Sequence, residues 1–257
     1  MIKILAELNE KKRLLLPSPI SSIRVYSYAI SLMSPVPAQI AGYILRGIRK
    51  ENDYSENSIG EYLSFKSIGY TEALRRALHI EERDSISTRW SDAYPPAHEL
   101  SIKLTELSEL PEYRSKYSTL TGKGAPEIFQ SVCQIGGQHG WFSTNWMWRM
   151  RGLIDRIFLG VGTSRGRRSD SSLRINDVLD FWRVEDMITD KRLLLRAEMI
   201  LPGKAWLEFQ IESKSGQNEI TVIAWFQPKG ILGKLYWFSF LPFHYFIFKD
   251  LLKQFSK

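Results

Sequence analysis

Alternation of apolar and polar residues is the clearest pattern in the sequence, and it becomes regular near residue 111. Apolar side chains occupy every second position of two successive stretches: Leu193, Leu195, Ala197, Met199, Leu207, Phe209 and Ile211. Glu208, Gln210 and Glu212 occupy the intervening positions, as expected for half-buried antiparallel strands. The pattern predicts strands over 112–120, 177–185, 192–201, 205–213 and 219–228. The separators "PGK" and "KSGQN" have the composition of hairpin turns.

Helical periodicity interrupts these strands and then follows them. A helix is predicted from Pro126 in "APEIFQSVCQI", and a second over 145–159 with Asn145 as its N-cap. A long aromatic helix is predicted from near Gly230 to the C-terminus, with a kink at Pro242. The order predicts an α+β domain in which a curved antiparallel sheet grips the long C-terminal helix.

Residues 1–110 have a different character and form a smaller, mixed N-terminal segment. An extended piece is predicted around "KRLLLPSPI", and helices are predicted in "SPVPAQIAGYILRGI" and in "YTEALRRALHI", where Thr71 is a candidate N-cap. These elements are too few to form a core of their own. We therefore expect two domains, residues 1–110 and 111–257.

Composition narrows the class of protein. The 257 residues are 44% hydrophobic and 25% charged, which is typical of a globular chain, and eight tryptophans require a core, a cavity or an interface. Cys133 is the only cysteine, which fits a reducing compartment and excludes an intrachain disulfide. The apolar run 235–248 is shorter than the roughly 20 residues of a membrane span. We expect a cytoplasmic protein, with peripheral membrane contact as an alternative.

The string "GVGTSRGRRSD" at 160–170 combines three glycines with three arginines, as a phosphate-binding loop could. A dinucleotide loop, however, follows a strand and opens a helix, so that the phosphate meets the helix N-terminus. This string follows a predicted helix and precedes a strand. Gly160 is better explained as a helix C-cap and Gly162 as a turn residue, with the arginines on a solvated basic face.

Four strings together resemble the DUF2867 family: "IGGQHGWFSTNWMWRMRGLIDRIFLGVGTSRGRR", "LDFWRVE", "LPGKAWLEF" and "PKGILGKLYWFSFLPFHYFIF". The resemblance covers roughly 110–257. It implies a START/Bet v 1-like (SRPBCC) helix-grip fold, which holds apolar ligands between the sheet and the last helix.

Residues 1–110, above all 11–48 and "TRWSDA", resemble the C-terminal, substrate-side part of an NmrA-like atypical short-chain dehydrogenase/reductase (SDR). The given sequence does not contain the strand–glycine loop–helix unit of that family. We therefore expect no cofactor in this chain, and NAD(P) only if a Rossmann half is supplied separately.

The leading hypothesis is non-catalytic binding of a small apolar ligand. The candidate cavity residues are Trp141, Trp146, Trp148, Trp182, Leu207, Phe209, Phe226, Phe240 and His244. Trp206 and Trp225 fall on the outer parity of their strands and are weaker candidates. The charged candidates are Arg149, Arg151, Asp155, Asp180 and Arg183, and we expect Asp180 to pair with Arg183 or Arg149. We identify no catalytic residue or metal ligand.

Two alternatives stay open. One is a part or subunit of an NAD(P)-dependent oxidoreductase, with a Rossmann-domain partner or self-association through the surface that such a partner would cover. The other, less favoured, is nucleic-acid binding through the six arginines at 149–168, a stretch that contains only one acid, Asp155.

Overall fold

The computed structural model describes residues 2–8, 10, 12, 22–34, 36–49, 68–82, 103–137, 140–163, 165–169 and 172–256. The chain divides into two compact units, residues 1–30 with 36–89 and residues 31–35 with 90–257. Most of the predicted extended piece at 12–20, and all of "TRWSDA" at 88–93, lie outside the described residues.

The described residues of the N-terminal third form four helices: α1 Ile2–Leu8, α2 Ile23–Met33, α3 Ala38–Arg49 and α4 Tyr70–Glu82. The last two confirm the helices predicted in this region. The N-cap predicted at Thr71 is wrong, because α4 begins one residue earlier and the amide of Ala73 already donates to the carbonyl of Gly69.

The second unit is built on one six-stranded antiparallel sheet. Its strands are β1 Tyr113–Thr121, β2 Val178–Leu179, β3 Trp182–Ile188, β4 Arg192–Ala197, β5 Gly203–Lys214 and β6 Gln217–Pro228, in the order β1-β6-β5-β4-β3-β2. Helices α5 Ala125–Cys133 and α6 Asn145–Ile157 connect β1 to β2, and α7 Gly230–Ser256 ends the unit. The predicted fold class is confirmed.

The stretch 177–185, predicted as one strand, is two strands joined by a tight turn. Asp180 adopts a left-handed φ of 56°, and Leu179 then pairs with Trp182 in an antiparallel hairpin. Alternation alone does not reveal this turn, because an aspartate in the left-handed region looks like any polar strand position.

The two faces of the sheet separate as the alternation predicts. The inner face carries the main core, which α5, α6 and α7 complete. The outer face carries a smaller cluster of Leu194, Trp206, Ile223 and Trp225, against which Leu104 packs. The prediction that Trp206 and Trp225 point outward is confirmed. Their indole N–H groups donate to buried carboxylates of Glu185 and Glu208 at 3.0 and 2.8 Å.

Two helix ends differ in detail from expectation. Helix α5 begins at Ala125, so that Pro126 lies in its first turn, where its missing N–H leaves no acceptor unsatisfied. Asn145 is the first residue of α6 and Thr144 is the cap. The side-chain oxygen of Asn145 instead accepts from the backbone N–H of Trp141 at 3.2 Å. Pro242 lies inside α7, and the kink at this residue stays a prediction.

A candidate ligand cavity

A cavity of about 220 Å³ lies between the inner face of the sheet, α6 and α7. Its lining combines residues of both helices, β3, β5, β6 and the turn before β5: Met147, Trp148, Met150, Arg151, Ile154, Trp182, Met199, Leu201, Ala205, Trp206, Leu207, Ala224, Trp225, Phe226, Tyr236, Trp237, Phe240, Phe243, His244, Ile247 and Phe248. Among them, the side chains of Trp206 and Trp225 point to the outer face of the sheet. Most of these side chains are apolar, so the cavity offers a largely apolar environment.

One side of α7 forms a continuous wall of the cavity. Tyr236, Phe240, Phe243 and Ile247 are spaced by four, three and four residues, which places them on one side of a helix. Tyr236 and Phe240 stack with their ring centroids 4.4 Å apart. Trp237, on the sheet side, stacks on the ring of Phe226 with an interplanar angle of only 7°. This stacking fixes α7 against the sheet.

The sheet forms the opposite wall, where two inward-facing positions carry only a methyl group. Ala224 of β6 pairs with Leu207 of β5, and Ala205 pairs with Phe226. Each small residue therefore stands beside a large one, and both alanines line the cavity. A larger side chain at either position would reduce the volume of the cavity.

Few polar groups line the cavity, and one of them is His244. Its Nδ1 is 3.1 Å from the Oγ of Ser115, and its ring stacks on Phe248. Burial lowers the pKa of His244 from 6.5 to about 4, so the imidazole is neutral at pH 7. This outcome agrees with the expectation of a hydrogen-bonded core histidine.

Arg151 is the charged residue of the lining. Its guanidinium donates to the carbonyl of Ile200 at 2.8 Å and lies 3.7 Å from the carboxylate of Asp155. The indole nitrogens of Trp148 and Trp182 are buried and have no hydrogen-bond partner within the described part of the chain. The one cation of the lining is thus already bonded within the protein.

Seven of the residues predicted from the sequence line this cavity: Trp148, Trp182, Leu207, Phe226, Phe240, His244 and Arg151. Trp141 is buried behind it, stacked on Trp148 with ring centroids 4.3 Å apart. Phe209 lies deeper in the core against Phe255, and Trp146 is 60% exposed on α6. These three side chains do not belong to the lining.

Sequence reasoning missed Tyr236, Trp237 and Phe243 of α7 and Met147 and Ile154 of α6. The signal for Tyr236 and Phe243 was present, because they lie four residues before and three residues after the predicted Phe240. On α6, Met147, Arg151 and Ile154 lie on one side of the helix. Because this side includes the charged Arg151, the sequence does not identify it as the wall of an apolar cavity.

Asp180 is buried, as predicted, but the partner predicted for it is wrong. Its carboxylate accepts from the indole N–H of Trp141 at 2.9 Å and from the amide of Gly137. Burial raises the pKa of Asp180 above its ordinary value, against the effect of these two donors. Arg149 is exposed on α6, and Arg183 is occupied elsewhere.

Arg183 belongs to a buried ion cluster around Glu198. The Glu198 carboxylate is 2.7 Å from Arg165 and 2.5 Å from Arg183, and Arg196 lies 3.8 Å away. Burial acts to raise the pKa of Glu198, but the guanidiniums of Arg183 and Arg165 outweigh it and hold the pKa below its ordinary value. The cluster ties the loop after α6 to the sheet.

The basic glycine loop is thus an internal structural element. Arg165 and Arg167 are buried, and Arg167 donates to the carbonyls of Cys133 and Ile135. Arg168 pairs with Asp177 at 2.9 Å. The solvated basic face expected for these arginines is wrong, because they satisfy buried carbonyls and carboxylates.

Two glycines of this loop, Gly160 and Gly162, lie close to the carboxylate of Asp155. Leu159, and not Gly160, is the left-handed residue that ends α6, with φ of 65°. A Cβ on Gly160 would lie 2.2 Å from the Asp155 carboxylate, which also accepts from the amide of Gly162 at 2.8 Å and from that of Ile200 at 2.6 Å. The C-cap prediction for Gly160 is therefore wrong, and this position has no room for a side chain because the Asp155 carboxylate lies against it. The amide of Gly162 is hydrogen-bonded within the protein.

Other chemistry finds little support in the described residues. They contain no group of three or more histidine, cysteine or acidic side chains arranged to hold a metal ion. Cys133 is partly buried, and burial raises the pKa of its thiol to about 11. Among the described helices, none combines the length and the hydropathy that a membrane crossing requires.

Comparison with known proteins identifies the second unit. The profile of the family described as "Protein of unknown function (DUF2867)" matches residues 111–251. No curated protein matches the chain. The resemblance of residues 1–110 to an NmrA-like SDR stays a prediction.

Three solved structures are similar to a part of this chain. Protein CV1439 from Chromobacterium violaceum aligns at 8% identity and a TM-score of 0.32, over 56% of this chain and 94% of its own. The Aha1 dimer from Colwellia psychrerythraea aligns at 11% identity and a TM-score of 0.33, over 55% of this chain and 96% of its own. Ara h 8.0201 aligns at 11% identity and a TM-score of 0.30, over 56% of this chain and 97% of its own. Because these TM-scores are below 0.5, the description of the fold rests on the strand order and on α7.

Proposed function

This chain belongs to the DUF2867 family, and we propose that its second unit binds a small, largely apolar molecule in the cavity between the sheet and α7. The observation that carries the proposal is the cavity itself. Well-packed interiors leave few voids larger than a water molecule. A space of about 220 Å³ with aromatic and aliphatic walls is therefore an unusual feature of a protein core.

The volume limits the size of the ligand. An apolar cavity of roughly 150 Å³ holds one benzene molecule, and pockets for drug-sized ligands begin at roughly 300 Å³. At about 220 Å³ the cavity suits a molecule of one or two rings, or the apolar end of a longer one that extends through the opening.

The polar groups of the lining favour a neutral ligand. His244 is uncharged at pH 7, and the Arg151 guanidinium is already held by the carbonyl of Ile200 and by Asp155. A charged ligand would be buried without a free counter-ion. The indole donors of Trp148 and Trp182 suit an uncharged oxygen acceptor once a ligand reorients them.

Native mass spectrometry of the gently purified full chain tests the proposal directly. A discrete additional mass that denaturation releases would identify the class of a bound ligand. Protein without a bound ligand is then titrated with 2-naphthol, which has two rings and one hydroxyl, and quenching of tryptophan fluorescence reports binding. The side chains of three tryptophans, Trp148, Trp182 and Trp237, line the cavity on the inner side of the sheet, so quenching is expected to be measurable.

Two phenylalanines of α7 provide a matched pair of variants. Phe240 lines the cavity, whereas Phe238, two residues earlier, is 60% exposed and contacts Tyr113. Phe240→Ala is expected to weaken naphthol binding about tenfold, through lost apolar contact, and Phe238→Ala is expected to leave it unchanged. Equal affinities for both variants, or no binding to the wild-type protein, would refute the proposal.

The oxidoreductase alternative rests on the resemblance of residues 1–110, and a Rossmann-domain partner would have to supply NAD(P). It stays a prediction, as do self-association and the cytoplasmic location. Nucleic-acid binding loses support, because Arg165, Arg167 and Arg168 form internal contacts.

A further inference from the structure

Exposed apolar side chains surround the opening of the cavity. Three residues of the lining, Met150 and Ile154 of α6 and Phe243 of α7, are each more than 40% exposed. These three residues form the rim of the cavity. Exposure at the rim means that the cavity opens between α6 and α7 onto the surface.

The apolar surface continues along α7 in both directions from the rim. Leu232, Leu235, Phe243 and Phe246 are separated by three, eight and three residues, which keeps them on one side of the helix. Leu232 is 72% exposed and Phe246 is 61% exposed. At about 1.5 Å per residue, this apolar stripe is roughly 20 Å long.

The turn before β5 joins the two helices beside this stripe. Ile200, 45% exposed, is tied to α6 because its amide donates to Asp155. Pro202 is tied to the start of α7 because its carbonyl accepts from the amide of Lys229 at 2.9 Å. The exposed apolar residues therefore form one continuous surface around the opening, which a monomer of ordinary composition rarely leaves without a partner.

Exposed cations predominate around this surface. In α6 and in residues 229–256, the exposed cations are Arg149, Lys229, Lys234, Lys249 and Lys253. The same two stretches contain two acids: Asp155 is buried, and Asp250 is half-buried and accepts from the backbone N–H of Thr144 at 3.1 Å. The exposed charge of these two stretches is thus predominantly positive.

We propose that the rim, the α7 stripe and the bordering cations dock onto an anionic lipid bilayer, with the opening of the cavity facing the membrane. Apolar side chains enter the boundary between headgroups and acyl chains, and lysines and arginines at the same surface attract anionic headgroups. A second copy of the chain fits less well. A two-fold interface through this surface would place two predominantly positive surfaces against each other.

The test is co-sedimentation of the full chain with vesicles of phosphatidylcholine alone and of phosphatidylcholine mixed with phosphatidylglycerol. We expect binding to the mixed vesicles that weakens as salt is raised. The double variant Leu232→Ser/Phe246→Ser is expected to lower vesicle affinity by at least about tenfold. Lys234→Glu is expected to weaken binding to the mixed vesicles. Leu120→Ser, which changes an exposed leucine of β1, is the control and is expected to bind as the wild type does.

Absence of binding to the mixed vesicles, or unchanged binding by the double variant, would overturn the proposal. A concentration-dependent dimer in sedimentation velocity that the double variant abolishes would also overturn it, because the surface would then be a self-interface. Membrane docking can be tested independently of ligand binding. Leu232 and Phe246 do not line the cavity, so the double variant is expected to keep its naphthol affinity in vesicle-free buffer.

Discussion

The partly buried histidine of α7 makes the stability of the second unit depend on pH between about 4 and 6.5. Burial lowers the pKa of His244 from 6.5 to about 4, so the unfolded chain binds a proton between these values while the folded chain does not. The contribution of His244 to the free energy of unfolding is therefore complete above pH 6.5 and is lost as the pH falls towards 4. A shift of this size corresponds to about 3 kcal/mol.

Urea denaturation of the wild type and of His244→Phe, from pH 7 to pH 4, measures this contribution. Phenylalanine keeps the packing against Phe248 and Trp237 but has no titratable group. Glu198 and the other carboxylates titrate in both proteins and cancel in the difference. We expect the wild type to lose about 3 kcal/mol relative to the variant between pH 7 and pH 4. A difference that is constant with pH would refute the reasoning.

Two further predictions concern the buried carboxylates. Gly160→Ala is expected to destabilise the protein by about 3 kcal/mol, because the added Cβ collides with Asp155, whereas Gly122→Ala, with no atom within 4 Å, should change the free energy of unfolding by less than about 0.5 kcal/mol. Equal urea midpoints for the two alanine variants would contradict the close approach. Glu198→Gln is expected to cost about 3–5 kcal/mol, because it removes the buried negative charge that the Arg165 and Arg183 guanidiniums contact directly. Glu127→Gln on the exposed side of α5 is the control, and a thermal midpoint of the Glu198 variant that matches it would show that the cluster is dispensable.

The sequence predicted the elements whose signals are local. Apolar residues at every second position identified the long strands, and the aromatic run at 235–248 identified α7, because both periodicities can be counted along the chain. The turn at Asp180 was missed, since a left-handed aspartate has no distinct signature in one sequence. The cap at Asn145 was misplaced for a related reason, because its side chain bonds Trp141 and not its own helix.

The candidate site was predictable only in part, because its contacts join distant parts of the chain. Phe240 and His244 could be chosen from an apolar helix that had to be buried. The partner of Asp180 could not, since Trp141 lies 39 residues earlier in the sequence and only the packed structure brings the two side chains together. Arg165 and Glu198 are 33 residues apart, and only the packed structure brings them together.

The pairing of β1 with β6 has a consequence for how the unit assembles. Tyr113 pairs with Phe226, more than a hundred residues later, and closing a loop of that length costs roughly 4 kcal/mol of chain entropy. The hairpins β3–β4, β4–β5 and β5–β6 close over a few residues each and meet no such barrier. We therefore expect the hairpins to form first and β1 to join the finished edge of β6 together with α7, which packs on both strands. During synthesis, β1 leaves the ribosome long before its partner exists, so folding of the unit waits for its last strand.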